Sequence, residues 1–339
     1  MIGGEYPIAV TDILNAGMRH KEEPDVYTYS SGRAALFQIL KYLKSEKGVS
    51  RVLLPDYLCS SVLVPVKTLE LEYEFYPIDE GLEAKVEGKE KTLRELYAPN
   101  TAVLVINYYG LKDLSKQISF IRGLDKDAII IEDDVQAYYE FKKPLGDVDF
   151  KFTSLRKTFA VPDGGLVKTN YQLPMIETPN TFGQYKAAAA LLKSMREGNF
   201  NDQIYLEMFE KGESIIDSEL ECGMSQIAEK LYGSLDEEHI RIRRLNNARH
   251  LVDLLKKNGI KPLLPLTEGH VPLFIPIVLH NRDVVRKRMF QHEVFCPVHW
   301  PLEGMELKRG KVMAETELSL IIDQRYGQKD MKRIVSLIR

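Results

Sequence analysis

Between residues 32 and 134 the sequence alternates short, wholly apolar runs with longer segments of helical period, and that rhythm leaves few folds open. "SSGRAALFQILKYLKS" carries Leu36, Ile39, Leu40 and Leu43 at helical spacing, and Gly32 stands at its start, where backbone amides are free. "RVLLP" is a buried-strand run stopped by Pro55, and "CSSVLVPVKTLE" is helical. "YEFYPID" and "TAVLVINYYG" are strand-like, "LSKQISFIRGL" returns to helical period, and "AIIIEDD" is strand again. Such an order predicts an α/β fold with a mostly parallel, mixed sheet sandwiched by helices. In sheets of this kind function collects at the carboxyl ends of the strands.

After about residue 175 the pattern changes. "QYKAAAALLKSMREGNFNDQIYLEMFEKGESI" and "DEEHIRIRRLNNARHLVDLLKKNGI" read as long charged helices, the second stopped by Gly259. "VPLFIPIVL" and "EVFCPVHW" read as strands on either side of the helical "NRDVVRKRMFQH". The expected division is a large α/β domain over 1–235, N-terminal segment included, and a small C-terminal α+β domain over 236–339 that a linking helix opens.

Composition excludes several function classes. With 339 residues, 44% hydrophobic and 28% charged, the chain can bury a large core. Net charge is −3 and Lys and Arg are dispersed, so no basic stripe suited to a phosphate backbone is present, and nucleic acid is not an expected partner. Cys59, Cys222 and Cys296 are far apart with no Cys-x-x-Cys pair, which argues against a disulfide framework or a zinc site and fits a reducing cytoplasm. The N-terminus has no export-signal layout, and no apolar run is long enough to cross a membrane.

Three strand ends carry chemistry. Ile129–Ile131 delivers Glu132, Asp133 and Asp134, with Gln136 just beyond. A second strand-like run leads to Lys157, so a carboxylate and an amine can face one crevice. At the third, the free amides of the helix starting at Gly32 favour an anion such as a phosphate. Carboxylate, amine and phosphate turn together describe a site for pyridoxal phosphate, which needs a lysine for its Schiff base, a carboxylate to keep the pyridine nitrogen protonated, and a phosphate cradle.

"YSSGRAAL", "VLLPDYLCSSV", "NYYG", "IIIEDDVQA", "GDVDF" and "RKTFAVPDGG" resemble, in order and spacing, the motifs of the DegT/DnrJ/StrS sugar aminotransferases, which are fold-type I pyridoxal-phosphate enzymes. The resemblance implies that Lys157, followed by Gly164 and Gly165, is the Schiff-base lysine and that Asp133 pairs with the pyridine nitrogen. It also implies Gln136 near the ring hydroxyl and the amides of Gly32 and Arg33 in the phosphate turn. The family usually has threonine or serine where this chain has Arg33. Its phosphate-binding serine falls on Phe152, so Ser154, of the same strand parity, is the substitute candidate. Its stacking aromatic falls on Cys59, which leaves Tyr57 as the candidate for that role.

The resemblance is specific over roughly residues 25 to 170 and weak afterwards. The family's Gly-x-Asn-x-Arg-Met-Ser segment survives only as Met224 and Ser225 in "CGMSQIAEKL". "CPVHWP" and "IIDQRYG" are similar to motifs of a shorter branch found with surface-polysaccharide genes, and His299, Trp300 and Arg325 are candidates for the substrate entrance. The implied activity is transfer of an amino group from an amino acid such as glutamate to a keto sugar, by analogy nucleotide-linked, in a cytoplasmic homodimer. Two alternatives stand: a pyridoxal-phosphate enzyme acting on a non-sugar substrate, and a non-catalytic cofactor-binding or scaffold protein.

Each candidate also has a plainer explanation. Lysine beside a carboxylate is commonly a surface ion pair, Asp133 or Asp134 could be a helix cap, and Gly32 could serve turn chemistry alone. Cys59 reads as a small hydrophobe, His299 with Trp300 as packing, and Arg325 as half of a structural ion pair. The accompanying Gly-Gly and the aspartate motif favour the functional reading of Lys157.

Overall fold

The computed structural model describes residues 1–17, 25–85, 87, 90–195, 202–302, 305 and 307–338. Its strands, in chain order, are β1 (Ile2–Gly3), β2 (Val26–Tyr29), β3 (Arg51–Pro55), β4 (Glu72–Tyr76), β5 (Thr101–Ile106), β6 (Ile129–Asp133), β7 (Phe150–Ser154), β8 (Gly165–Thr169), β9 (Phe274–Val278), β10 (Val294–Phe295) and β11 (Glu317–Ile321). Seven of them form one sheet in the order β2-β8-β7-β6-β5-β3-β4. From β7 to β4 every pairing is parallel, whereas β8 runs antiparallel to both β7 and β2. All six residues of β5 are buried, as an apolar strand covered on both faces must be.

The helix Gly32–Lys47 packs beneath β7 and β8 through Ala34, Ala35, Leu36, Ile39, Leu40 and Leu43. Ser31 caps it, Oγ accepting the Ala34 N–H, and Gly48, at φ +66°, ends it in the left-handed conformation that glycine adopts cheaply. The β7–β8 connection folds back through Gly164, at φ +115°, whose N–H donates to the Ser30 carbonyl at 2.7 Å. A Cβ on Gly165 would lie 2.1 Å from the Ser31 carbonyl oxygen, so only glycine lets β8 run this close to the start of the helix. The Gly-Gly pair therefore fixes the helix N-terminus over the sheet end.

The long helical pattern after residue 182 is two packed helices, Phe182–Ser194 and Asp202–Ile216. The helix Glu237–Lys257 follows, ending before Gly259 at φ +70°. Beyond it β9 and β11 pair antiparallel, Leu318 opposite Ile277, with the helices Arg282–Gln291, Lys308–Thr316 and Gln328–Ser336 around them. "EVFCPVHW" is strand only over Val294–Phe295, where it pairs in parallel with β1. Pro297 has no N–H to continue a ladder, and its carbonyl takes the N–H of Ser319 instead. The N-terminal residues thus join the C-terminal elements: Gly3 N–H donates to the Tyr326 hydroxyl at 2.6 Å, and the Arg325 guanidinium lies 4.3 Å over the Tyr6 ring. No helix among the described residues is long and apolar enough to cross a membrane.

Candidate active site

Strand alternation separates the three acids at the end of β6. Glu132 and Asp134 share one side with Lys151, whose Nζ is 3.6 Å from Glu132, and burial pushes both carboxyls up. Asp133 points the other way. Its Oδ1 accepts the Val135 N–H at 2.9 Å, and its second oxygen has no partner among the described residues. Burial raises its pKa to about 7 against the pull of that N–H. A cation placed beside it would recover the charged form.

Parallel pairing sets Asp133 opposite Phe152, and Ser154, two residues further on, reaches the turn at Gly32. A Cβ on Gly32 would meet Ser154 Cβ at 3.2 Å and Val135 Cγ2 at 3.4 Å, so the turn, Ser154 and the residues just after Asp133 converge. Next in the chain, the short helix Leu155–Thr158 carries Lys157, which is exposed and has no hydrogen-bond or ion-pair partner among the described residues. The carbonyl of Thr158 beside it is held by Gln324 Nε2 at 3.0 Å and Arg244 Nη2 at 3.4 Å.

The side chain of Arg33 leaves the turn for Asp217 at 2.6 Å and Glu213 at 3.9 Å. Arg156 and Lys186 also pair with Glu213, and these two cations hold the Glu213 carboxyl down at about 2. The turn therefore presents its amides to the crevice, while the guanidinium ties it to the helix Asp202–Ile216.

Opposite lies an aromatic wall that begins at the "NYYG" turn. Tyr109 holds φ +60°, a conformation that costs a non-glycine residue about 1–2 kcal/mol, and it is pinned from both sides. Gln136 Oε1 accepts its N–H at 2.9 Å, and its carbonyl accepts the Leu273 N–H at 2.8 Å. Tyr57 is buried, with its ring stacked on Tyr108 at 5.2 Å and 17° and against Trp300 at 4.9 Å. Its hydroxyl bonds the Tyr109 hydroxyl at 2.6 Å and the His299 carbonyl at 2.7 Å. With 1% of its surface exposed, Tyr57 has no free face to offer. Cys59 accepts from Ser61 Oγ at 3.1 Å.

His299 packs edge-on to Tyr109 and Trp300. Burial and the Lys157 charge lower its pKa to about 3, which ties this ring to the lysine crevice. Arg325 is held elsewhere: its fork closes on Asp323 at 2.9 and 2.8 Å and donates to the carbonyls of Gly4 and Glu5. Its arrangement is that of a structural ion pair.

Sequence reasoning missed three groups. Asp163, inside the Pro-Asp-Gly-Gly turn, accepts both the backbone N–H and the hydroxyl of Ser225, which caps the helix Gln226–Gly233, and burial raises its pKa to about 6. Arg244 lies in the long charged helix Glu237–Lys257 but is fully buried, and its guanidinium bridges the Thr158 and Leu273 carbonyls and the Tyr6 hydroxyl. Glu317 and Ser319 alternate with Leu318 and Leu320 on β11, a pattern that reads as a solvent-facing edge, yet both are buried.

No protein-family model matches the chain, and no curated protein matches it in sequence. Solved structures match its fold. The aminotransferase TlmJ from Streptoalloteichus hindustanus is 17% identical with a TM-score of 0.70, over 100% of this chain and 98% of that one. The putative sugar aminotransferase Spr1654 from Streptococcus pneumoniae, in its PMP form, is 14% identical with a TM-score of 0.69, over 100% and 98%. A DegT DnrJ EryC1 StrS aminotransferase from Brucella abortus is 17% identical with a TM-score of 0.60, over 98% and 91%. The fold is that of the fold-type I transferases, as the motifs led us to expect.

Proposed function

We propose that this chain is a pyridoxal-phosphate-dependent aminotransferase of the DegT/DnrJ/StrS kind, which moves an amino group from an amino acid, glutamate in our reading, to a keto sugar, nucleotide-linked by analogy. The observation that carries the proposal is the convergence of an unpaired amine, Lys157, a buried carboxyl, Asp133, and the glycine turn at Gly32 on the ends of adjacent strands. The residues fit the cofactor. Ser154 and Val135 close on the turn where a Cβ on Gly32 would stand, and Asp133 has an oxygen to offer a protonated ring nitrogen. Spr1654 was solved in a PMP form, which supports the same choice of cofactor.

When bound, pyridoxal phosphate supplies the electron sink and the carbonyl that carries the amine. The protein does the rest. The amides of Gly32 and Arg33, with Ser154, would hold the phosphate at the positive end of the helix Gly32–Lys47. Asp133 would keep the ring nitrogen protonated, and Lys157 would hold the group covalently and move protons at the reacting carbon. Gln136 would act near the ring hydroxyl, as it already fixes the Tyr109 turn. His299 and Trp300 would border the substrate entrance, with the covered Tyr57 behind them as support. We further propose a cytoplasmic homodimer acting in the synthesis of surface polysaccharide or related sugars.

The test is the visible absorbance of the purified chain with added pyridoxal phosphate. A band present in wild type, absent in Lys157→Ala and bleached by excess glutamate supports the reading. If wild type shows no band, the chain is a scaffold with the fold alone. A band that glutamate leaves unchanged would point to another amino donor or another reaction.

A further inference from the structure

Glu317 is completely buried on β11, yet nothing in the fold requires a carboxyl there. Its Oε2 accepts the backbone N–H of His299 at 2.7 Å, and its Oε1 is 2.5 Å from Ser319 Oγ. Ser319 Oγ is in turn 2.8 Å from His299 Nδ1. Three buried or half-buried groups thus form one unbroken hydrogen-bonded line. At its outer end His299 Nε2 makes no hydrogen bond among the described residues and is not among the buried polar atoms lacking a partner, so it opens to the crevice. The line leads from the aromatic wall into the small antiparallel sheet, away from the cofactor contacts already described.

Such a line admits two proton arrangements. With Glu317 ionised, Ser319 donates to Oε1 and His299 Nδ1–H donates to Ser319, which leaves a lone pair on Nε2. With Glu317 neutral, its O–H donates to Ser319, Ser319 donates to Nδ1, and Nε2 carries the proton. A proton arriving at Nε2 therefore moves the Nδ1 proton to Ser319 and the Ser319 proton to Glu317, and the imidazole is neutral before and after. We propose that Glu317, Ser319 and His299 form a buried proton relay whose open end, His299 Nε2, exchanges protons with the crevice that holds Lys157.

The surroundings agree. Burial and the Lys157 charge disfavour an imidazolium, with the ring pKa lowered to about 3, so His299 serves as a conduit rather than a base in its own right. Burial raises the Glu317 carboxyl to about 8, against the His299 N–H, the Ser319 hydroxyl, the Arg282 charge and a hydrogen bond from the Tyr109 hydroxyl that pull it down. Tyr57 and Tyr109 from the aromatic wall and Cys296 from the segment just after β10 also face this carboxyl, and all three are pushed up, foremost by burial, and stay neutral. The relay is then half loaded near pH 8, where a group that must give and take protons works best. In the aminotransferase reading, on which this use of the relay rests, it would take the proton that the Lys157 ammonium loses on becoming a nucleophile. Glu317 and Ser319 are then positioning residues that act through His299.

The experiment uses the cofactor-free full chain, so its result is independent of whether pyridoxal phosphate binds. Nitrogen-15 spectra of histidine-labelled protein report which ring nitrogen carries the proton, and His299→Gln assigns the signal among the seven histidines. We expect a ring that stays neutral and passes from the Nε2–H form to the Nδ1–H form as pH rises, with a midpoint near 8. Ser319→Ala and Glu317→Gln should abolish that exchange, and Ser319→Thr, which restores a hydroxyl, should restore it. An imidazolium forming near pH 6 in wild type, one tautomer fixed from pH 6 to 10, or exchange that persists in Ser319→Ala would each overturn the relay. The wild-type titration alone decides if a variant fails to fold.

Discussion

Gly165→Ala tests the geometry on which the phosphate turn depends. The added Cβ would sit 2.1 Å from the Ser31 carbonyl oxygen, 2.3 Å from its carbon and 2.8 Å from Gly32 N, all backbone atoms that no rotamer can move. Real contacts of this kind essentially never fall below 3.0 Å, so β8 and the helix start must part by about 0.9 Å. That displacement pulls on the Ser31 carbonyl, which accepts the Ala35 N–H at 2.9 Å, and on the Gly164 to Ser30 bond at 2.7 Å. Overpacking of this order costs about 1–3 kcal/mol. Loss of one amide contact to a charged phosphate costs about 1.5–3 kcal/mol more, or roughly 10–100-fold in Kd. Urea unfolding reads the first quantity, and titration of the cofactor absorbance reads the second. Gly123→Ala is the control: it lies in a helix with nothing within 4 Å of the new Cβ, and it should stabilise by about 0.4–1 kcal/mol. If Gly165→Ala unfolds and binds like wild type, β8 does not run against the turn, and the account of the Gly-Gly pair fails.

A carboxyl with a raised pKa keeps its proton in the folded chain at pH values where the unfolded chain has lost it, so its contribution falls as pH rises. For Asp133 the window runs from about 4 to about 7 and is worth on the order of 4 kcal/mol. Asp133→Asn should therefore make the cofactor-free chain more stable than wild type at pH 8 and little different at pH 4, with loss of turnover. Equal pH dependence of unfolding in the two proteins would refute the raised pKa. Arg325→Ala removes the bidentate pair with Asp323 and two bonds to the carbonyls of Gly4 and Glu5, and should cost about 1–3 kcal/mol. Limited proteolysis should then cleave the first residues faster, and an unchanged rate would mean that β1 is held by its other contacts.

Much of the large sheet was legible because β3, β5 and β6 carry runs of three or more consecutive apolar residues, and a parallel sheet covered on both faces makes use of such runs. Carboxyls at the end of β6 were legible for the same reason. Strand period leaves open which of the three turns which way, and the family resemblance chose Asp133. In the structure Glu132 and Asp134 lie on the side of Lys151 and Asp133 on the other. Gly165 could be recognised only as part of a motif, because its need for glycine comes from a carbonyl more than a hundred residues away in the chain. Arg244 was not legible because a helix with charged residues on most faces hides the one that turns inward to bond backbone carbonyls.

The second half was harder to read because its elements do not build a site alone. They complete one begun in the first half. Tyr109 keeps an unfavourable φ only because Gln136 holds its N–H and Leu273 reaches its carbonyl, so a residue next to β9 fixes a turn that follows β5. Gln324 and Arg244 hold the Thr158 carbonyl, which sets the short helix that carries Lys157. Glu317 and Ser319 bond the His299 backbone and imidazole, and Glu317 also faces Tyr57 and Tyr109. The contacts of Leu273, Gln324 and Arg244 join backbone groups of the first half to groups from the C-terminal third, and such pairings leave no periodic trace in the sequence. A change in this third should therefore alter the position or protonation of groups around Lys157 before it alters the cofactor contacts we propose, which come from residues 32 to 157.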